Sequence, residues 1–306
     1  HQALHSFPTR RSSDLVNVKA NMTMKVVSKL PDKYDSYDTF LLKNATIEKE
    51  LADYPTGWSN YKPMQIINKY RHPANTAEWD QYPNVDWENE LFRDVATSYS
   101  ANANVSGGSK FVKYFASVDF VHEGDLFKEF ETKRGYQSSY GYNRINMRSN
   151  LDFRLTSTTD FSVNLFGSNG VRTTPWGADN TSDGLWNSVY QTAPDAFRPV
   201  YSDGIYGYFA PRDADAPNAI ANLSNSGVEQ QTTLRINSDF ILKQKLDFIT
   251  KGLSFRGSFT LDNTLVEVDR GINDEYNYTI QKYIDPETGL VSWKQGEDYR
   301  DRKSVV

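Results

Sequence analysis

The chain has 306 residues, with 34 basic and 39 acidic side chains and a formal net charge of −5. That balance offers no basic stripe and argues against nucleic acid as a partner, while the absence of cysteine excludes disulfides and cysteine-ligated metal sites. No run of 18 apolar residues occurs, which excludes a membrane-spanning helix but not a membrane barrel, whose alternating strands escape such a scan.

Both ends read as foreign. His1–Leu15, with Arg10-Arg11-Ser12-Ser13, and Asp301–Val306 resemble translated sequencing adapters. The first lacks the apolar h-region of a signal peptide. Residues 16–300 are therefore expected to be an internal piece of a longer protein.

Val16 to Val26 alternates apolar and polar residues and predicts a first strand. Residues 29–97 change character and predict a helix-containing insertion without an obvious core of its own. Tyr37 to Asp53 is rich in Leu, Lys, Glu and Ala and reads as a helix, with Ser36 as its N-cap. Tyr61 to Tyr70 predicts a shorter helix, and Pro55, Gly57, Pro63, Pro73 and Pro83 break the rest. Tyr99 to Val105 alternates again, turns at Gly107-Gly108-Ser109, and returns through Val112, Tyr114, Ala116, Val118 and Phe120.

The clearest pattern lies between Tyr142 and Phe166. Ile145, Met147, Leu151, Phe153 and Leu155 share one parity. Arg144, Asn146, Arg148, Asn150, Asp152 and Arg154 share the other. After a turn at 157–159, Phe161, Val163 and Leu165 alternate with Asp160, Ser162 and Asn164. This is a hairpin with one apolar and one charged face. Residues 167–230 predict a long irregular segment. A further hairpin follows, with Leu234, Ile236, Phe240 and Leu242, then a turn at 249–252, then Phe255, Phe259, Leu261 and Leu265. The tail from Tyr276 to Trp293 reads as a polar hairpin turning at Pro286-Glu287-Thr288-Gly289.

Connections alternate long (29–97, 123–142, 167–230) and short (107–109, 157–159, 249–252). In an up-and-down meander this puts every long loop at one end, the arrangement of an outer-membrane barrel. The strands also exceed the ~5–6 residues usual in soluble sheets. The expected fold is all-β: part of an antiparallel up-and-down transmembrane barrel, about seven wall strands in all, with long extracellular loops at 29–97 and 167–230. Alternation by itself fits two other classes, a soluble carbohydrate-binding β-sandwich and a surface-adhesion β protein. Loop asymmetry, strand length and apolar parities almost free of charge favour the barrel.

Catalysis finds little support. His1, His5, His72 and His122 are isolated, no set of residues has metal-ligand spacing, and Glu48/Glu50 and Asp213/Asp215 read as solvated faces. No enzyme activity, metal or cofactor is expected. In the segment 170–230, Trp176, Trp186, Tyr201, Tyr206 and Tyr208 are candidate ligand-binding aromatics, because a flat ring with a polar tip can cover a sugar or a peptide side chain. Packing of loop against loop competes with that role.

One series of short motifs resembles a known family. Tyr82-Pro83-Asn84-Val85-Asp86-Trp87 is followed by Ser106-Gly107-Gly108, Lys113-Tyr114-Phe115, Glu123-Gly124 and Arg144. Arg148-Ser149-Asn150-Leu151-Asp152 completes it. In that order they resemble SusC/RagA-type TonB-dependent outer-membrane transporters over roughly residues 16–300. The signature positions are Tyr82, Pro83, Asn84, Asp86, Trp87, Gly107, Gly108, Arg148 and Asn150. The resemblance implies a barrel of about 22 strands around a plug, in the outer membrane of a Gram-negative, Bacteroidota-like bacterium. It implies uptake of oligosaccharides or peptides with a SusD-like lipoprotein outside and the TonB complex inside, the plug lying before residue 16. Arg144, Arg148, Asp152, Arg154, Arg235, Asp239 and Arg256 would then face the lumen and the plug. Where family members often carry Asn-Pro, this chain has Asn218-Ala219.

Overall fold

The structure, a computed structural model, describes residues 14–27, 32–131, 137–175, 185, 189–211, 216–225, 227–270 and 280–295. Strands β1 (Leu15–Val26), β2 (Val95–Gly108) and β3 (Val112–Gly124) come first. A two-stranded hairpin, β4 (Phe130–Glu131) and β5 (Gln137–Ser138), interrupts the series. It resumes with β6 (Gly141–Arg154), β7 (Thr159–Pro175), β8 (Val228–Lys245) and β9 (Ser254–Arg270). A second small hairpin, β10 (Ile280–Ile284) and β11 (Val291–Gln295), closes the described chain.

The seven long strands form one sheet in the order β1-β2-β3-β6-β7-β8-β9, each antiparallel to its neighbours. This is the up-and-down wall of a partial β-barrel. Its strands run from 12 to 18 residues, two to three times the ~5–6 of ordinary sheets. β1 begins at Leu15, one residue inside the end that reads as foreign. β7 continues to Pro175 and β8 starts at Val228, so the irregular segment expected over 167–230 is shorter. The alternation there is hidden by Gly167, Gly170 and a run of Thr and Gln, which pair as well as apolar residues do.

Register carries one face across the whole sheet. Val18, Ala103, Val118, Met147, Gly167 and Ile236 stand side by side on successive strands. So do Tyr114, Leu151, Val163, Phe240 and Phe259. One residue along, Asn17, Asn104, Ser117, Arg148, Phe166, Asn237 and Asp262 form a row on the other face. A slip of one residue at any strand would exchange its faces.

Tight turns at 109–111, 155–158 and 246–253 lie at one end of the sheet and the long connections at the other. In the first connection, α1 (Ser36–Glu50) is capped by Asp35, whose carboxylate accepts from the Asp38 N–H at 2.8 Å. Ser36, the expected cap, is buried instead. Its hydroxyl donates to the Pro83 carbonyl and its N–H to Asn84 Oδ1, both at 2.8 Å. α2 (Met64–Arg71) starts later than expected because Pro63 occupies its N-cap. α3 (Thr76–Gln81) and α4 (Trp87–Leu91) follow, capped by Asn75 and Asp86.

In the third connection, α5 (Ala219–Asn225) is nearly all buried. Asn218 fixes its start. Its side-chain oxygen accepts from the Ile220 and Ala221 N–H groups at 3.2 Å, and its amide donates to the Pro199 and Gly207 carbonyls. The departure from Asn-Pro at 218–219 leaves this asparagine with four hydrogen bonds.

Apart from Ala96 on β2, the buried apolar core of the described residues belongs to the long connections, not to the sheet. Leu91 and Phe92 from the first, Phe127 from the second, and Leu185, Val189, Ala219, Ile220 and Leu223 from the third pack into one cluster. Phe40, Ile67 and Tyr70 form another within the first connection. The insertion thus has a small core of its own, which its short helices gave no obvious sign of.

Candidate functional site

The sheet presents two chemically opposite faces under a cap of loops. On the apolar face, Val18, Met147, Phe259 and Leu261 are 72%, 55%, 63% and 57% exposed. Leu151 and Phe240 are half-buried among their cross-strand neighbours. Among the described residues no second sheet covers this face, the two remaining sheets being two-stranded hairpins. A β-sandwich requires such a cover. Along β6 the band runs from Ile145 to Leu155, just past the strand end. Ten steps span about 34 Å of chain, or about 26 Å along the normal at a tilt of about 40°. That equals the apolar height of a membrane barrel, about 25 Å. On β3 and β6 the band gives way at the loop end to His122 and Asn143. There Tyr99 stacks on His122 at 4.6 Å, and His122 Nδ1 lies 2.8 Å from Asn143 Oδ1.

On the polar face, register places Arg144, Arg148, Asp152, Arg154, Arg235, Asp239 and Arg256 together. Hydrogen bonds between short side chains run across it. Asn102 donates to Asp119, Ser168 to Asn146 at 2.8 Å, Ser162 to Asp152 at 2.6 Å and Asn237 to Asp262 at 2.6 Å. The Arg154–Asp160 pair, at 3.7 Å and exposed, adds little.

Basic residues dominate this face. Lys19, Lys25, Lys113, Arg144, Arg148, Arg154, Arg172, Arg235, Lys243, Lys245 and Arg256 oppose only Asp119, Glu123, Asp152, Asp160, Glu229, Asp239 and Asp262. Composition concealed this excess, because the whole chain is acidic. A hollow of about 520 Å³ opens around Arg144 and Arg148. The Arg148 guanidinium lies 5.7 Å from the Phe166 ring centre and that of Arg144 5.9 Å from Tyr142.

The run from Tyr82 to Trp87, which carries the sequence resemblance, is a junction. Pro83 is fully buried, and Asn84 and the Pro83 carbonyl hold Ser36. The Val85 N–H donates to the Pro194 carbonyl at 3.0 Å. Asp86 caps α4, and Trp87 donates its indole N–H to the Ala193 carbonyl at 3.2 Å. Trp87 also meets Phe197 edge-on at 5.2 Å. The Val85 and Trp87 contacts tie the first connection to residues 193–197 of the third. Gly107 and Gly108 sit where the β2–β3 turn closes: a Cβ on Gly107 would lie 2.5 Å from Tyr114 Oη, and one on Gly108 2.8 Å from the Val112 carbonyl.

Of the candidate ligand-binding aromatics, Tyr201 is only 2% exposed. It packs inside the cap, and burial, reinforced by Asp80, holds its phenol protonated well above the ordinary range. That removes it from the reach of a solute. Tyr206 packs against the main cluster. Tyr208 is half-buried, with Lys294 Nζ 3.5 Å above its ring and Tyr283 edge-on. Trp176 and Trp186 lie outside the described residues. Of the three described members of the expected set, Tyr201 and Tyr206 are thus committed to packing within the cap.

Several residues that hold the cap had no short-range signal. Asp80 accepts from the Ser202 N–H at 3.0 Å and its hydroxyl at 2.7 Å. Arg198 stacks 3.8 Å over Trp79 and donates to the Trp79 and Tyr82 carbonyls. Lys282, nearly buried, reaches Asp203 at 2.5 Å and lies 4.4 Å from the Trp293 ring centre, docking the β10–β11 hairpin. Burial lowers the Lys62 pKa, against the pull of Asp195. Among the described residues no group of His, Asp and Glu is arranged to hold a metal ion.

No family model matches the chain, and no curated protein matches it in sequence. Solved structures do. The RagAB peptide transporter matches with a TM-score of 0.52 at 15% identity, over 84% of this chain and 28% of that one. The RagAB peptide importer in its closed-closed state matches with a TM-score of 0.52 at 14% identity, over 86% of this chain and 29% of that one. The likeness is one of fold. The chain spans under a third of the length of these transporter chains.

Proposed function

We propose that this chain is a wall segment of an outer-membrane, TonB-dependent importer of the SusC/RagA type. The apolar face meets lipid, the polar face lines the pore, and the long connections form an extracellular cap. The observation that carries this reading is the apolar band across seven paired strands, left without a covering layer among the described residues and matched in height to a bilayer. In water so large an uncovered apolar face would drive aggregation. The fold likeness to a peptide transporter and the motif series from Tyr82 to Asp152 support the same direction.

The work of such a wall is binding and gated passage, not bond-making. The cap would receive peptides or oligosaccharides together with a SusD-like lipoprotein. The polar face would line the lumen, with Asp152, Arg154, Arg235, Asp239 and Arg256 holding a plug through contacts weak enough to be broken under TonB pulling and Arg144 and Arg148 facing the lumen beside it.

The test is membrane assembly. The native protein should fractionate with outer membranes, resist carbonate extraction, and run faster on a gel before boiling than after, as closed barrels do. A protein that stays soluble and monodisperse without detergent would refute the proposal.

A further inference from the structure

We propose that the polar face selects carboxylate-bearing cargo, with Arg144 and Arg148 as its contact points. The inference rests on reading that face as a pore lining, and adds the chemistry of what passes along it.

Three observations converge. The hollow of about 520 Å³ is lined by Arg144, Arg148, Asn146, Asn102, Asp119 and Phe166, among others. Its one acidic lining residue, Asp119, accepts from the Asn102 amide. Neither arginine meets a carboxylate among the described residues, and Arg144 Nε is shielded without a hydrogen-bond partner. Elsewhere on the face charges do find partners: Arg154 meets Asp160, and Asp152 takes the Ser162 hydroxyl.

A water-filled lining needs only Asn and Ser to stay wet, and six of the fourteen residues lining this hollow are Asn or Ser. Two uncompensated guanidiniums are a different device. Each offers a planar fork of N–H donors that matches a carboxylate, with Phe166 or Tyr142 beside its plane. They stand four residues apart on one strand face, about 13 Å, so a flexible oligomer can engage both. The excess of basic residues along the sheet adds a field that concentrates anions ahead of contact. Charge complementarity therefore points to an acidic peptide as occupant. An acidic segment of the protein's own interior is the competing source of the same carboxylate.

The experiment uses the native full-length protein in detergent and three fluorescent probes. These are a Glu-rich octapeptide, the same peptide with Gln for every Glu, and a neutral oligosaccharide. At low salt the acidic peptide is expected to bind about tenfold tighter than its Gln counterpart, and the preference to shrink as salt rises. In R144Q/R148Q the ratio should fall to near one, with the heat-dependent gel shift unchanged. Equal binding of the two peptides by the unmodified protein would overturn the inference. So would a double variant that weakens both peptides alike, which would assign the arginines to the protein's own interior. If the gel shift is present but none of the three probes binds, this inference fails while the wall reading stands. If the protein never enters the membrane, both fail.

Discussion

An arginine walked along the apolar face of β6 gives the sharpest test of the lipid assignment. The band from Ile145 to Leu155 spans about 26 Å along the normal, so its middle lies about 13 Å below the loop-side edge. Leu151, six steps in, sits about 16 Å down and close to the midplane; Met147, two steps in, sits about 5 Å down. An arginine costs about 2–4 kcal/mol at the midplane and about 0–1 near an interface. Leu151→Arg should therefore destabilise the folded barrel by about 2–4 kcal/mol, and Met147→Arg by less, about 1–2 kcal/mol. Asn164→Arg, on the polar face beside Asp239, should cost almost nothing. Urea-dependent folding into lipid vesicles, followed by the gel shift, measures all three. Equal costs at Leu151 and Asn164 would refute the face assignment. A larger cost at Met147 than at Leu151 would refute the depth scale.

Further predictions concern the cap. Trp87→Ala removes a ring that is 2% exposed and its bond to the Ala193 carbonyl, so the cap should lose about 3–5 kcal/mol; protease cleavage near 85 and 195 should rise while the sheet stays resistant. Gly207→Ala forces a methyl onto the Arg198 carbonyl and the Phe197 ring, and should cost about 1–3 kcal/mol by overpacking, read as faster hydrogen exchange over 197–210. Burial raises the Asp35 pKa, but the Asp38 N–H and Arg71 together outweigh it and hold it below the ordinary carboxylate value. Its stabilisation of α1 is thus present above about pH 4 and lost as pH falls further. Hydrogen exchange over 36–71 should show this acid loosening, and Asp35→Asn should remove the step.

Much of the architecture was legible in the residues themselves. Period-two alternation from Tyr142 to Phe166 fixes a strand pair whatever surrounds it, because successive side chains must point to opposite faces. The alternation of long and short connections then orders the strands as a meander, and the charged parity of Arg144 to Arg154 reports one wet face. The sequence also contained the junction residues from Tyr82 to Trp87, although it showed them only as a motif.

What the cap does was decided by tertiary structure alone. Asp80 meets Ser202, and Trp87 meets Ala193 and Phe197, across more than a hundred residues, and no local period records such a pairing. Tyr201 looks like a surface aromatic in sequence and is buried in space, since burial depends on what the other connections bring to it. The excess of positive charge on one face is likewise invisible to composition. It emerges only when register sorts the basic residues of the strands onto the same side, where they outnumber the acidic ones.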